Sequence, residues 1–315
     1  MKVLITGANG FIAKNLRVTL NKMPQIEVLE YFKNDTIEKL DSLIKEADFV
    51  FHLAGVNRPE KVDDYYDGNS NFTQILIDII ERNNKKVPIL LSSSTQVGNG
   101  SDYAKSKEEA EKIIEKYAIK NDISCFIYRL PNVFGKWSKP NYNTVIATWC
   151  YNITRDIEIK VDNPDKELTL AYIGDVVHAF IKHLYVTQSK ELFYEINNVY
   201  KKTLGEIQQL LYMFRDSRQN LLIPNIAKGF ERVLYATYLS FLPTDKFSYK
   251  LSGHEDARGT FYEILKTLDS GQLGISTTKP GVTRGNHYHN TKNEKFLVIR
   301  NKNIQPNISA LKSFS

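Results

Sequence analysis

Lys2-Val-Leu-Ile-Thr6-Gly7-Ala-Asn-Gly10-Phe-Ile-Ala13 is the stretch that decides the fold class. Val3, Leu4 and Ile5 run without a polar break, as in a strand covered on both faces of a parallel sheet. Two glycines then make a tight turn, and Phe11 opens an amphipathic helical pattern. The same rhythm repeats outward. Residues 27–31, 49–53, 88–92 and 125–130 read as further strands, and 11–23, 37–46, 71–83 and 103–120 as the helices between them. Strand and helix alternating in this way predict an α/β domain on a doubly wound parallel sheet.

Beyond Trp137 the pattern loosens into a short strand (168–172) and helices (175–185, 203–215), as a small substrate lobe would require. After Phe247 only short, turn-punctuated β segments follow, around 256–259, 261–265, 271–277 and 295–300. The expected organisation is a nucleotide-binding domain with its substrate lobe over 1–245, a partial β appendage over 246–300, and a polar, unpatterned tail over 301–315.

The 315 residues are 42% hydrophobic and 25% charged, a globular composition that excludes disordered, collagen-like and disulfide-stapled chains. Two cysteines, Cys125 and Cys150, cannot build a disulfide framework and point to a reducing, cytoplasmic setting. No secretory signal is read ahead of Val3, and no run of about 20 apolar residues occurs, so no membrane insertion is expected. The net charge of +6 is spread along the chain. Such a spread argues against a nucleic-acid partner and suits anionic small molecules.

Gly7, Asn9 and Gly10, with Phe11 and Ile12 in the first helical turn, form the expected cradle for a dinucleotide pyrophosphate. Glycines let backbone N–H groups approach the phosphates, and the helix N-terminus favours their charge. Ala13 stands where a third glycine would pack helix on strand. At the end of the second strand, Glu30 suits the ribose of NAD and Lys33 the 2′-phosphate of NADP. Lys33 with NADPH is the preferred reading, and NADH the alternative. Leu53, Ala54 and Gly55 end the third strand with small residues against which a cofactor can lie, while His52 reads as packed. Asn69 suits either a hydrogen bond near the cofactor or a helix N-cap. Ser92-Ser-Ser-Thr95 ends the fourth strand, and Tyr103-Ala-Lys-Ser-Lys107 starts the next helix. Residues four apart share a helix face, so Lys107 is expected beside the Tyr103 phenol, lowering its pKa from about 10.

Taken together, these motifs resemble the extended short-chain dehydrogenase/reductases, Rossmann-type enzymes that act mostly on nucleotide sugars. The resemblance implies NAD(P) on the glycine turn and catalysis by Ser94, Tyr103 and Lys107, with Ser93 and Thr95 as alternatives for the serine. Arg129-Leu-Pro-Asn-Val-Phe-Gly135 and Tyr172-Ile-Gly-Asp175 look like later family segments. They imply that Pro131 borders the nicotinamide and Asn132 faces the substrate. Ala54-Gly-Val-Asn-Arg-Pro59, Asn132-Val-Phe-Gly-Lys-Trp137, Lys139-Pro-Asn-Tyr142 and Lys279-Pro-Gly…Gly285-Asn-His-Tyr-His289…Asn293-Glu-Lys-Phe296 resemble more narrowly the bifunctional reductase–cupin enzymes of bacterial capsule and O-antigen synthesis. Those enzymes work on the route to UDP-N-acetyl-L-fucosamine. That resemblance implies NADPH-dependent reduction of the C-4 ketone of a UDP-linked keto-deoxy-N-acetylhexosamine, a cupin that acts at C-3, and a homodimer. Arg58, Lys136, Lys139 and Asn141 are the expected substrate-holding residues.

His287 and His289 alternate along one strand face, followed by Glu294, and such a set suits Zn²⁺ or a similar divalent ion. The resemblance makes them the first cupin motif. No second motif follows, so an incomplete cupin with a weak or absent metal site and a defective epimerase half is expected. Two other readings share the N-terminal motifs: a nucleotide-sugar 4-epimerase or dehydratase that retains NAD, and a cofactor-binding remnant without turnover.

Overall fold

A computed structural model of the chain describes residues 1–186, 188–284, 290, 293–299 and 308–311. It divides into two compact units, Met1–Tyr249 and Lys250–Ser315. The first unit alternates β1 (Lys2–Thr6), α1 (Phe11–Leu20), β2 (Glu27–Tyr31), α2 (Ile37–Glu46) and β3 (Phe49–His52). It continues through a short α3 (Asp63–Tyr66), a π-helical turn (Asp67–Asn71), α4 (Phe72–Arg82), β4 (Ile89–Ser94), α5 (Asp102–Asn121) and β5 (Cys125–Leu130). Next come β6 (Asn132–Phe134), α6 (Val145–Ile153), β7 (Glu167–Tyr172), α7 (Ile173–Lys182), β8 (Phe193–Tyr194), β9 (Val199–Thr203), α8 (Leu204–Asn220) and α9 (Gly229–Ser240).

Six strands form one sheet in the order β2-β1-β3-β4-β5-β8, and every pairing in it is parallel. The doubly wound parallel sheet expected from the sequence is therefore present. Its continuous apolar strands follow from covering on both faces. Val3, Ile5, Phe49 and Phe51 pack on one side with Leu16, Leu20, Val177 and Phe180 from α1 and α7. The alternate residues Leu4, Val50, Ile89 and Leu91 pack on the other with Leu40, Ile44, Leu76, Ile80 and Ile114 from α2, α4 and α5. A smaller sheet, β6-β7-β9, joins α6, α8 and α9 around Phe134, Trp149, Leu211, Phe214 and Tyr238.

Several boundaries differ from the sequence reading. Helix α1 stops at Leu20 rather than at 23, because Pro24 disfavours helical backbone at the residue before it. Strand β4 runs on to Ser94, since Ser92, Ser93 and Ser94 pair with Tyr128, Arg129 and Leu130 of β5. Residues 246–249 belong to the first unit: Arg218 donates to the Lys246 and Phe247 carbonyls, and Lys246 pairs with Asp156.

The second unit holds an antiparallel sheet of β10 (Gly253–Asp256), β11 (Gly259–Lys266) and β12 (Gln272–Ser276). It also holds an antiparallel pair, β13 (Glu294–Leu297) with β14 (Ile308–Leu311). The strand β14 corrects the reading of 301–315 as unpatterned throughout. No helix among the described residues is long and apolar enough to cross a membrane.

Candidate active site

In the large sheet, the chain runs one way from β1 to β2 and then crosses back over β1 to β3 and onward the other way. The crevice beyond the carboxyl ends of β1 and β3 is thus the switch point at which doubly wound sheets bind ligands. Gly7 and the segment Leu53–Gly55 meet there. Gly7 has φ +66°, and a Cβ on it would lie 2.7 Å from Ala54 Cα and 2.8 Å from Ala54 N. Only glycine fits this approach. Gly10 caps α1 with no side-chain acceptor for the first-turn N–H groups, which are left for an anion. Asn9, Gly10, Phe11, Ile12, Leu53 and Gly55 line a cavity of about 1200 Å³. Cradle, uncapped helix end and small-residue wall together fit a dinucleotide. Lys33 is exposed and does not line this cavity, and Glu30 is engaged by Arg17 at 2.6 Å.

The far wall of the same cavity carries Ser94, Tyr103 and Lys107. Ser101 caps α5, its hydroxyl accepting from the Ala104 N–H, and this sets Tyr103 in the first turn with Lys107 one turn along the same face. Of the three hydroxyls at the end of β4, Ser94 is the one that acts on the Tyr103 phenol from the same cavity wall, and its Oγ accepts from the Gln96 N–H. Ser93 is committed to Glu111, and Thr95 is exposed and points to the Leu130 carbonyl. Lys107 is buried, and its Nζ donates to the Ser92 carbonyl at 3.1 Å. Burial lowers its pKa to about 8, against the opposing pull of Glu111. The Tyr103 phenol corrects an expectation: burial raises its pKa, the nearby Ser94 hydroxyl opposes that, and Lys107 is not among its perturbers.

Behind Lys107 lies a hydrogen-bond chain. The Ala54 N–H donates to Thr6 Oγ1, which is 2.7 Å from His52 Nδ1. His52 Nε2 is 2.9 Å from Thr73 Oγ1, which donates to the Asn69 carbonyl. Because the Thr73 proton goes to the Asn69 carbonyl, Thr73 accepts from His52 Nε2–H, and Nδ1 is left to accept from the Thr6 hydroxyl. His52 is fully buried, and burial lowers its pKa to about 3, with Lys107 adding to the effect. Asn69 belongs to the π-helical turn and is not the N-cap of α4. Its side chain accepts from the Val56 N–H, donates to the Val56 carbonyl and donates to Ser106 Oγ. It is thereby spent on the protein and does not line the cavity. π-helical turns recur where a side chain must be re-aimed at a functional site.

Pro131 and Asn132 also line the cavity, as do Arg58 and Lys139. Lys136 and Asn141, by contrast, lie outside its wall. Lys136 Nζ sits 4.4 Å from the Trp137 ring centroid, and its carbonyl accepts from Asn15. Asn141 takes φ +55° and donates its backbone N–H to Thr148. The left-handed turns at Trp137 (φ +71°) and Asn141 present Trp137, Tyr142 and Asn143 to the cavity instead. Sequence reasoning also missed Tyr65, whose ring centroid is 5.8 Å from that of Tyr103, and Asn57, whose Oδ1 is buried without a partner. His287 and His289 lie outside the described residues; Glu294 is at the start of β13. No metal-holding cluster of His, Cys, Asp and Glu occurs among the described residues.

Residues 3–196 match the profile of the NAD dependent epimerase/dehydratase family. The chain belongs to that family. A second profile, the polysaccharide biosynthesis C-terminal domain, matches residues 254–307. The UDP-2-acetamido-2,6-beta-L-arabino-hexul-4-ose reductase of Pseudomonas aeruginosa is 47% identical over 302 residues, covering 95% of this chain and 81% of that protein. The capsular polysaccharide assembling protein CapF of Staphylococcus aureus has a crystal structure with TM-score 0.88 and 43% identity, covering 99% of this chain and 88% of that one. The UDP-glucuronic acid 4-epimerase of Bacillus cereus shares the epimerase/dehydratase fold alone, with TM-score 0.65 at 17% identity over 76% of this chain and 99% of that one.

Proposed function

We propose that the chain is an NADPH-dependent reductase that converts the C-4 ketone of a UDP-2-acetamido-2,6-dideoxy-hexos-4-ulose to the alcohol, in the supply of a capsule or O-antigen sugar. What carries the reading is the convergence of Ser94, Tyr103 and Lys107 on one wall of the cavity that the glycine turn opens. The substrate class is supported by the 47% identity to a reductase named for such a sugar. A bound nicotinamide supplies the hydride. Tyr103 keeps its proton at neutral pH, because burial raises the phenol, and so is in the form needed to donate to the ketone oxygen. The Ser94 hydroxyl holds that oxygen beside the phenol. Lys107, one helical turn along the same wall, brings a buried ammonium into the cavity while it remains protonated.

Gly7, Asn9, Gly10, Phe11, Ile12, Leu53, Ala54, Gly55 and Pro131 are assigned to the cofactor, and Arg58, Asn132 and Lys139 to the nucleotide sugar. The engagement of Glu30 by Arg17, with Lys33 exposed three residues on, supports NADPH over NADH. Free, buried Cys125 and Cys150 support a reducing, cytoplasmic setting, and the likeness to the reductase–cupin enzymes supports a homodimer. The test is stoichiometric. Added NADPH should be consumed mole for mole with the UDP-4-keto-6-deoxy-N-acetylhexosamine. A tightly held NAD with no net consumption would identify an epimerase or dehydratase instead.

A further inference from the structure

Tyr103, Lys107 and Glu111 stand at successive four-residue steps along α5, on one face of the helix. The first two belong to the site already described. The third does not touch the cavity, yet its side chain is 3% exposed and every hydrogen bond it makes leads back to the site. Arg129 grips it with both arms of the guanidinium, Nε to Oε1 at 3.0 Å and Nη2 to Oε2 at 2.7 Å. The Ser93 hydroxyl donates to Oε1 at 2.5 Å. Ser93 and Arg129 are direct register partners across β4 and β5. Arg129 is itself held over the Phe193 ring of β8, 4.8 Å from its centroid.

We propose that Glu111 is a positioning residue that ties β4, α5 and β5 into one register, so that Ser94, Tyr103, Lys107 and Pro131 face the same cavity in a fixed geometry. Each of the three segments it joins carries part of the site immediately beside the tie: Ser94 follows Ser93, Lys107 is one turn before Glu111, and Pro131 is two residues after Arg129. A carboxylate suits this place because it has four acceptor positions and can take a bidentate guanidinium and a hydroxyl together. Its charge also acts on Lys107, the buried cation one turn away. The other charged groups facing this cluster are Glu108 and Lys112 on α5, Arg129 on β5 and Glu195 just beyond β8.

The inference rests on the reductase reading for its rate measurements but not for its binding measurement. Glu111→Gln preserves shape and removes the charge, and Ser93→Ala removes only the hydroxyl. NADPH affinity is followed by nicotinamide fluorescence across pH without sugar, and kcat is followed with sugar. In Glu111→Gln the basic limb of both profiles should move to lower pH by about one pH unit. Its kcat at neutral pH should fall about ten- to hundredfold, as displaced catalytic groups cause, while the neutral-pH Kd for NADPH stays within about twofold. A folded Glu111→Gln protein with both limbs unmoved and unchanged kcat overturns the proposal. Should that variant not fold, Ser93→Ala decides: a lower kcat at unchanged Kd supports it, and wild-type kcat overturns it. Should the wild type turn over no sugar, the reductase reading fails, and the NADPH-affinity limb alone still decides on Glu111.

Discussion

Replacing Gly7 with alanine tests the cofactor crevice at its tightest point. A Cβ there would meet Ala54 Cα at 2.7 Å, Ala54 N at 2.8 Å and the Leu53 carbonyl carbon at 3.2 Å, all backbone atoms with no rotamer to give way. Non-bonded carbons prefer about 3.5–4.0 Å, so the two strand ends must part by about 1 Å. Left-handed backbone at φ +66° adds about 1–2 kcal/mol for an L-residue. Overpacking adds about 1–3 kcal/mol, for a total of roughly 2–5 kcal/mol. In a domain of this size each kcal/mol moves Tm by about 2–4 °C, so a loss of roughly 4–20 °C is expected. Because Leu53 and Gly55 line the cofactor cavity, NADPH Kd should also rise more than about tenfold, or about 1.4 kcal/mol. Gly229→Ala is the control: its φ is +72°, but a Cβ there meets nothing within 4 Å. Thermal melts and NADPH fluorescence titrations read both effects. A Gly7→Ala protein that binds NADPH like wild type, and melts no lower than Gly229→Ala, would refute the crevice geometry.

Other expectations follow from the groups behind the cavity. His52 takes up its proton at about pH 3 when folded but at 6.5 when exposed, so unfolded chains bind more protons between those values. Stability should therefore fall as pH drops from about 6.5, by about 1.4 kcal/mol per pH unit from this residue, and His52→Leu should remove that slope in urea titrations. Lys107 loses its proton near pH 8, so the reductase rate should decline as pH rises through that value, read from initial rates at saturating NADPH. Asn69→Ala leaves the Val56 N–H and carbonyl unpaired and should cost about 2–3 kcal/mol, visible as a lower Tm.

The parallel sheet and glycine turn were legible because their signals are local: unbroken apolar strands, two glycines, then a helix. Tyr103 and Lys107 were legible for the same reason, since four residues on one helix define their neighbourhood. The choice among Ser93, Ser94 and Thr95 was not, because it depends on Glu111 and Arg129, which approach from other elements. Lys136 and Asn141 were misplaced because two left-handed residues, Trp137 and Asn141, turn that loop so that Trp137 and Tyr142 face inward. Asn69 reads equally as a cap or as a hydrogen-bonding residue near the cofactor because its π-helical turn has no sequence signature of its own. The rise in the Tyr103 pKa comes from burial, with Tyr65 and Tyr142 adding to it electrostatically, and only the folded chain brings these groups together.

Tyr103→Phe is the direct test of the central claim. With saturating UDP-4-keto-6-deoxy-N-acetylhexosamine and NADPH, the wild type should consume one NADPH per alcohol formed. The variant should bind NADPH with a Kd within about twofold of wild type while its kcat falls by about 10²–10⁴, the usual worth of a positioned proton donor. Full turnover by a folded Tyr103→Phe protein would contradict the account.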